Sequence, residues 1–194
     1  MMRKYEESHY TFENIKDKIY PWVKNELTDT QALNGKHFSE EDTPVIQFVG
    51  ELKVIFVIKR GEDIFEVLKD NMLAPEIDIE ALYHKACENL VRDVEFVIGN
   101  TFYGAFGVLA DGHHEASSIC FKHIWQVCVD KLQDDLVIMV PSKETVIFAP
   151  ASQKETVKKM IEHGEASYKA DKDPVSKQVF VFSRARKELM VYEA

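Results

Sequence analysis

The chain has 194 residues, 45% of them hydrophobic, and carries 24 lysine and arginine residues against 33 aspartate and glutamate residues, a formal net charge of −9. This length and composition can support a buried core without disulfides or a structural metal, and exclude a collagen-like, low-complexity or disordered chain. Because a nucleic-acid site needs clustered basic residues and these are interleaved with acidic and apolar ones, we expect no nucleic-acid partner.

The amino terminus and the cysteines indicate the cellular compartment of the protein. No apolar stretch follows residues 1–8, and the longest apolar run, residues 54–58, is too short to cross a bilayer. We therefore expect no signal peptide and no membrane partner. Cys87, Cys120 and Cys128 are odd in number, have no CxxC spacing and lie within apolar patterns, which is typical of buried cysteines in a reducing compartment. We expect a cytoplasmic protein.

The first part of the chain predicts helix followed by loop. Apolar residues recur at three- and four-residue steps over residues 11–27, and Pro21 divides this pattern into two short helices or kinks one helix. The polar stretch 28–43 predicts a loop. We expect residues 1–42 to form an N-terminal helical segment and polar loop, followed by an α+β domain over residues 43–194.

The next part predicts strands. Residues 45–49 and 52–58 are mainly apolar runs separated by a Gly50-Glu51 turn, and the second run is apolar at successive positions from 54 to 58, as in a central strand covered on both faces. Residues 64–68 predict a further short strand, followed by a helical turn that ends before Pro75.

A helix is predicted to begin after Asp78, which is a favourable N-cap. Residues 95–110 are strand-like, with a turn expected at Gly99-Asn100 and another at Asp111-Gly112. The helix is expected to bury Ile79, Leu82, Tyr83, Ala86 and Leu90.

The last part alternates strands and helices. Residues 117–121 predict a strand or the lead into a helix over residues 124–132, and two strands follow at 136–140 and 145–148. A capping box, Ser152 to Glu155, predicts the start of a helix.

We expect that helix to end at Gly164, and residues 174–191 to form a C-terminal β-hairpin. The mixed order favours an α+β fold, with a mixed, mainly antiparallel sheet packed by several helices.

Several stretches, in this order and spacing, resemble the YtpQ family of bacterial proteins, a domain of unknown function. The resemblance covers roughly residues 43–194 and implies a bacterial, cytosolic protein, but it implies no activity. The stretches that carry it are Val49–Val57, Leu82–Leu90, Asp111–Ser117, Val140–Glu144 and Pro174–Ser176.

The densest group of acid and base side chains is Asp111, His113, His114 and Glu115, and a ligand site here would include Ser117. In a strand His113 and Glu115 would share a face and His114 would point away, which gives fewer ligands than a metal usually needs. We interpret the group as a polar turn and expect no metal and no cofactor.

Other candidate site residues offer fewer acid, base or metal-binding groups. His84 and Glu88 lie four residues apart on the predicted helix, which indicates a surface pair, not an HExxH motif. Asn89 either satisfies backbone groups or contacts a ligand.

No serine lies in a G-x-S-x-G motif, so no catalytic constellation is recognised among Ser117, Ser118, Ser142 and Ser176. The aromatic residues of the strand-like segment are interpreted as core, namely Phe96, Phe102, Tyr103 and Phe106.

Two functions stay open. One is a non-enzymatic interaction protein that holds an unknown protein partner or a second copy of itself. The alternative is a small-molecule-binding domain or hydrolase-like enzyme that uses Asp111, His113, His114 and Glu115 at a turn, where functional groups are often exposed. Whether the protein is an enzyme stays open with them.

Overall fold

The computed structural model of the protein describes residues 11–29, 36–37, 43–69 and 78–193. The helical turn expected before Pro75 and the expected loop residues 30–35 and 38–42 lie outside this part of the chain. The described helices are α1 (Phe12–Ile15), α2 (Ile79–Asp93), α3 (Lys122–Leu132) and α4 (Lys154–Ala170), with a 3₁₀ helix at Ala116–Cys120.

The described strands form three sheets, and the α+β class with a C-terminal hairpin is confirmed. The strands are β1 (Ile19–Lys24), β2 (Thr28–Asp29), β3 (Lys36–His37), β4 (Ile46–Gln47), β5 (Lys53–Gly61), β6 (Ile64–Val67), β7 (Val97–Asn100), β8 (Phe106–Leu109), β9 (Leu136–Ser142), β10 (Thr145–Pro150), β11 (Val179–Ser183) and β12 (Glu188–Val191).

One sheet has the order β1-β5-β4, with β6 also paired to β5, so the prediction that β5 is a central strand is confirmed. The second sheet has the order β12-β11-β9-β10-β8-β7, and its neighbouring strands are antiparallel. The third is the two-stranded pair β2-β3, so this part of the expected loop is wrong: Thr28 pairs with His37 and Asp29 with Lys36.

The chain divides into two compact units. The first contains the described residues up to Pro21, those from Leu27 to Ile46, and Ile55–Asp93; the second contains Trp22–Glu26, Gln47–Val54 and the described residues from Val94 onward. Both units draw on residues from either side of the expected boundary between residues 42 and 43, which stays a prediction.

The first unit has its own apolar core. The Asp78 carboxylate accepts a hydrogen bond from the Glu80 backbone N–H (3.3 Å), and α2 buries Leu82 and Ala86 as its apolar spacing predicted. The core consists of Ile15, Ile19, Phe56, Ile58, Leu68, Leu82 and Ala86.

The prediction of helix beyond residue 16 is wrong, because residues 19–24 form β1 and all six are buried. Four of the six are β-branched or aromatic, and such side chains pack well in a strand covered on both faces. Pro21, which lacks an N–H donor, lies within this strand.

The second unit is built on the six-stranded sheet. Helix α4 packs on one face through Val157 and Met160, which contact Met139 of β9 and Ile147 of β10. On the other face, the Trp125 ring of α3 meets Phe148 edge-on at 5.3 Å. None of the helices in the described part of the chain is both long and apolar enough to cross a membrane.

One turn prediction in this unit needs correction. Gly99 and Asn100 belong to β7, where Gly99 pairs with Gly107; the turn comes later, with the Thr101 N–H bonded to the Ala105 carbonyl (2.9 Å). The positive φ of +91° that this turn requires is taken by Gly104.

Helix α4 departs from its predicted ends. The capping box is absent: the N-cap is Gln153 with no side-chain cap, and Ser152 donates its backbone N–H to Asp134 instead (2.8 Å). The helix also continues through Gly164 to Ala170, and the missing side chain of Gly164 lets α4 approach Met139 closely. Residues 117–121 follow the alternative of a lead into α3, as a 3₁₀ helix.

Candidate functional site

The group predicted from Asp111 to Ser117 is a tight loop followed by the 3₁₀ helix, not a strand. One Asp111 carboxylate oxygen accepts hydrogen bonds from the backbone N–H groups of His113 and His114, both at 3.0 Å. The other lies 2.8 Å from Nδ1 of His114, whose ring is buried. Asp111 therefore fixes both the turn and the orientation of the His114 imidazole.

Glu115 closes the same loop from its other end. Its Oε1 accepts the backbone N–H groups of Ala110 (3.0 Å) and Gly112 (2.9 Å). Glu115 is 5% exposed, and its Oε2 has no hydrogen-bond partner within the described residues. We call residues 110–115 the carboxylate loop, because two carboxylates satisfy its backbone donors.

The electrostatics of the carboxylate loop favour an Asp111 that is ionised at neutral pH. Burial raises the pKa of the Asp111 carboxyl, but the hydrogen bond and charge of His114 and the two backbone donors outweigh it and hold that pKa well below its usual range. A carboxylate of this kind is a weak base and does not donate a proton near neutral pH.

The 3₁₀ helix begins beside the turn that joins β9 to β10. Its Ala116 N–H bonds the Lys143 carbonyl in the turn between these strands (2.9 Å). The buried Ser117 and Ser118 follow; the Ser118 carbonyl accepts the Trp125 indole N–H (3.1 Å). The loop is thereby attached to the sheet and to α3.

Three of the stretches that resemble the YtpQ family meet near this turn. Ser142 forms a β-bridge with Pro174, and the next amide of that segment, Val175, bonds the Pro141 carbonyl (2.9 Å). Ser176 donates its hydroxyl hydrogen to the Glu51 carboxylate. Residues far apart in the sequence thus come together at one end of the second sheet.

An ion pair with a buried lysine lies in the same unit. Lys24, which is 1% exposed, bonds the Asp173 carboxylate, next to the Ser142–Pro174 bridge. The Trp22 ring centroid lies 5.9 Å from the Lys24 ammonium and 5.3 Å from that of Lys143. Nothing in the sequence pattern pointed to Lys24, because its partner is 149 residues away.

The remaining candidates belong to the first unit. Asn89 belongs to the first unit, where its amide donates to the backbone carbonyls of Lys16 (2.7 Å) and Ile19 (2.9 Å), as the backbone alternative predicted. His84 and Glu88 form an exposed pair at 3.3 Å. Within the described residues, no three His, Cys, Asp or Glu side chains are placed to hold a metal ion.

The cysteines are free thiols in the described residues. Burial raises the pKa of Cys87 to about 11 against the lowering effect of a hydrogen bond with Tyr83, and burial also raises that of Cys128. A thiol with a raised pKa is a poor nucleophile near neutral pH.

The interpretation of Phe102 as core is wrong. It lies in the turn between β7 and β8 and is 90% exposed, with its ring edge-on to Tyr103 and His163. On the same hairpin, the directly paired Val97 and Leu109 are 49% and 59% exposed. We call Val97, Phe102 and Leu109 the hairpin surface; apolar spacing alone did not separate it from the core.

Comparison of the chain with protein-family models, curated proteins and solved structures finds no match in any of the three. The resemblance to the YtpQ family therefore rests on the sequence stretches alone.

Proposed function

We propose that this chain is a non-enzymatic binding domain that acts through protein contacts, with the hairpin surface as its contact surface. The observation that carries the proposal is Phe102, a large aromatic side chain that is 90% exposed on a well-formed hairpin. Aromatic side chains supply much of the binding energy of protein interfaces, and exposed apolar patches mark such interfaces.

The neighbours of Phe102 hold it in place without covering it. Tyr103 stacks on His163 of α4 at 4.2 Å, and the Phe102 ring contacts both at 5.1 and 5.2 Å. An aromatic anchor fixed in this way loses little conformational entropy when a partner covers it.

The chemistry of the carboxylate loop also favours binding over catalysis. Asp111 and the Oε1 of Glu115 are occupied by backbone donors, and Asp111 stays ionised. The same proposal places the protein in the cytoplasm, supported by three free cysteines, and in the YtpQ family, supported by the stretches named above.

The experiment compares the wild-type chain with the double variant Phe102→Ser, Leu109→Ser and with the control Val127→Ser, which changes a 51% exposed residue of α3. Each is purified, checked for folding by circular dichroism, analysed by sedimentation velocity and used to retrieve proteins from cell extract. We expect self-association or a retained protein partner to weaken at least tenfold in the double variant only. A monomeric wild type that retains no protein through the hairpin surface would contradict the proposal.

A second candidate is a small-molecule or hydrolase-like site at Asp111, His113, His114, Glu115 and Ser117. It is favoured by the Glu115 Oε2, which is buried without a hydrogen-bond partner in the described residues. Such an atom is costly unless something bonds it.

Native mass spectrometry and elemental analysis test this candidate. It requires a stoichiometric metal or small molecule that is lost in His113→Ala with Glu115→Gln and kept in the exposed-pair control His84→Ala. An unmodified chain mass in the wild type would remove it.

A further inference from the structure

We infer that the partner of the hairpin surface is a second copy of this chain, joined by antiparallel pairing of β7 with β7 of the partner subunit. The inference rests on the proposed function and names its partner.

Strand β7 is an edge strand with donors and acceptors directed outward. It is the last strand in the sheet order, and no other strand of the described residues pairs with its outer side. The Thr101 N–H bonds Ala105 on the β8 side, and donors alternate along an antiparallel strand. Val97 and Gly99 therefore also face β8, whereas Ile98 and Asn100 direct their N–H and C=O groups outward.

The two edges of the sheet differ in charge. At the opposite edge, β12 begins with the exposed Glu188, 3.7 Å from Arg186. Charged side chains on an edge strand discourage pairing with other chains. The four residues of β7 include no charged residue and no proline, so β7 is the edge that permits pairing.

Symmetric pairing of two β7 strands, with Ile98 on the twofold axis, places side chains of complementary size opposite each other. Ile98 would exchange both backbone hydrogen bonds with Ile98 of the partner subunit, and Val97 would lie opposite Gly99 of the partner subunit. A side chain would therefore face a position that has none. In each copy Leu109 lies over Gly99, 3.3 Å from where a Cβ would stand, so the incoming valine would pack on Leu109.

The same register avoids like charges, although each copy has a net charge of −9. Glu95 would lie opposite Thr101 of the partner subunit, where a hydroxyl meets a carboxylate. The twofold arrangement also occupies the β7 edge of both copies, so association through this edge ends at the dimer. Two four-residue strands form a small interface, below about 1,200 Å², so we expect a weak, concentration-dependent dimer.

The test measures dimerisation by sedimentation velocity over a wide protein concentration range. The variant Val97→Lys places a charge in the interface, and Val127→Lys on α3 is the matched control. We expect a reversible wild-type dimer whose dissociation constant rises at least tenfold in Val97→Lys and stays within twofold in the control. Amide exchange should slow with protein concentration at Ile98 and Asn100, while the β8-facing amides of Val97 and Gly99 stay unchanged.

Several results would overturn the inference. They are a wild type that stays monomeric at the highest concentration, a dimer that Val97→Lys leaves intact, or Ile98 and Asn100 amides whose exchange is independent of concentration. If the monomer nevertheless retained another protein through Phe102 and Leu109, the proposed function would stand and only the second copy would be excluded. A failure of both measurements would remove both proposals.

Discussion

Gly164 of α4 lies so close to Met139 of β9 that a Cβ on Gly164 would stand 2.6 Å from the methionine sulfur. Met139 is fully buried beneath α4, in a core cluster that also contains Met160. A glycine inside a helix costs about 1 kcal/mol relative to alanine. The close approach of helix and sheet is the physical reason why α4 contains one.

We predict that Gly164→Ala destabilises the protein by about 1 kcal/mol, because overpacking a core costs about 1–3 kcal/mol and exceeds the gain in helix propensity. In a Met139→Val background, which removes the sulfur, the same substitution should be neutral or stabilising. Urea unfolding of the four proteins in this double-mutant cycle measures the sign. A stabilising effect in both backgrounds would show that Met139 moves aside freely.

Breaking the Lys24–Asp173 pair should be costly. Asp173→Asn leaves the Lys24 ammonium buried without its carboxylate, and we expect a loss of about 3 kcal/mol in the free energy of unfolding. Lys24→Met combined with Asp173→Asn should recover much of that loss, since no buried charge remains. The exposed pair of Lys187 and Asp130 is the control: Asp130→Asn should change stability by less than about 0.5 kcal/mol. Equal effects of the two asparagine substitutions would contradict the prediction.

The Asp111 carboxylate should make stability depend on pH. Its pKa is lower in the folded than in the unfolded chain, so its contribution is present above the unfolded value of about 4 and is lost as the pH falls towards the folded value. Wild type should therefore be more stable than Asp111→Asn at pH 7 and 5, with a smaller difference at pH 3. Denaturant unfolding at the three pH values tests this, and a difference that stays constant down to pH 3 would be inconsistent with it.

Cys87 should react slowly with thiol reagents. With a pKa of about 11, only about one thiol in a thousand is ionised at pH 8, and the thiolate is the reactive form. In a Cys120→Ala, Cys128→Ala variant, labelling of Cys87 should be at least a hundredfold slower in the native than in the urea-unfolded chain. The native rate should also keep rising as the pH is raised towards 11. Labelling of the native chain at the unfolded rate would refute the assignment.

Part of the fold could be predicted because some patterns of apolar residues are compatible with only one type of secondary structure. Residues 54–58 are apolar at every position, which a strand covered on both faces explains, and Asp78 before an apolar three- and four-residue repeat marks the start of α2. The four-residue spacing of Ile15, Ile19 and Val23 fits a buried strand as well as it fits a helix. Every residue from 19 to 24 is buried, which fits a strand covered on both faces and not a helix with one exposed face. This burial depends on neighbours that lie elsewhere in the sequence.

The candidate site also has a part that could be predicted from the sequence and a part that could not. The amino-acid sequence was enough to predict the α+β class, a turn at Asp111-Gly112 and the local group from Asp111 to Ser117, because backbone propensities and short-range hydrogen bonds act between residues close in the chain. Long-range folding is what brings Lys24 to Asp173 and Ser176 to Glu51, and what leaves Phe102 on the surface. These contacts and exposures depend on which distant segments of the chain exclude water from a side chain. The spacing of apolar residues along the sequence does not predict which segments these are.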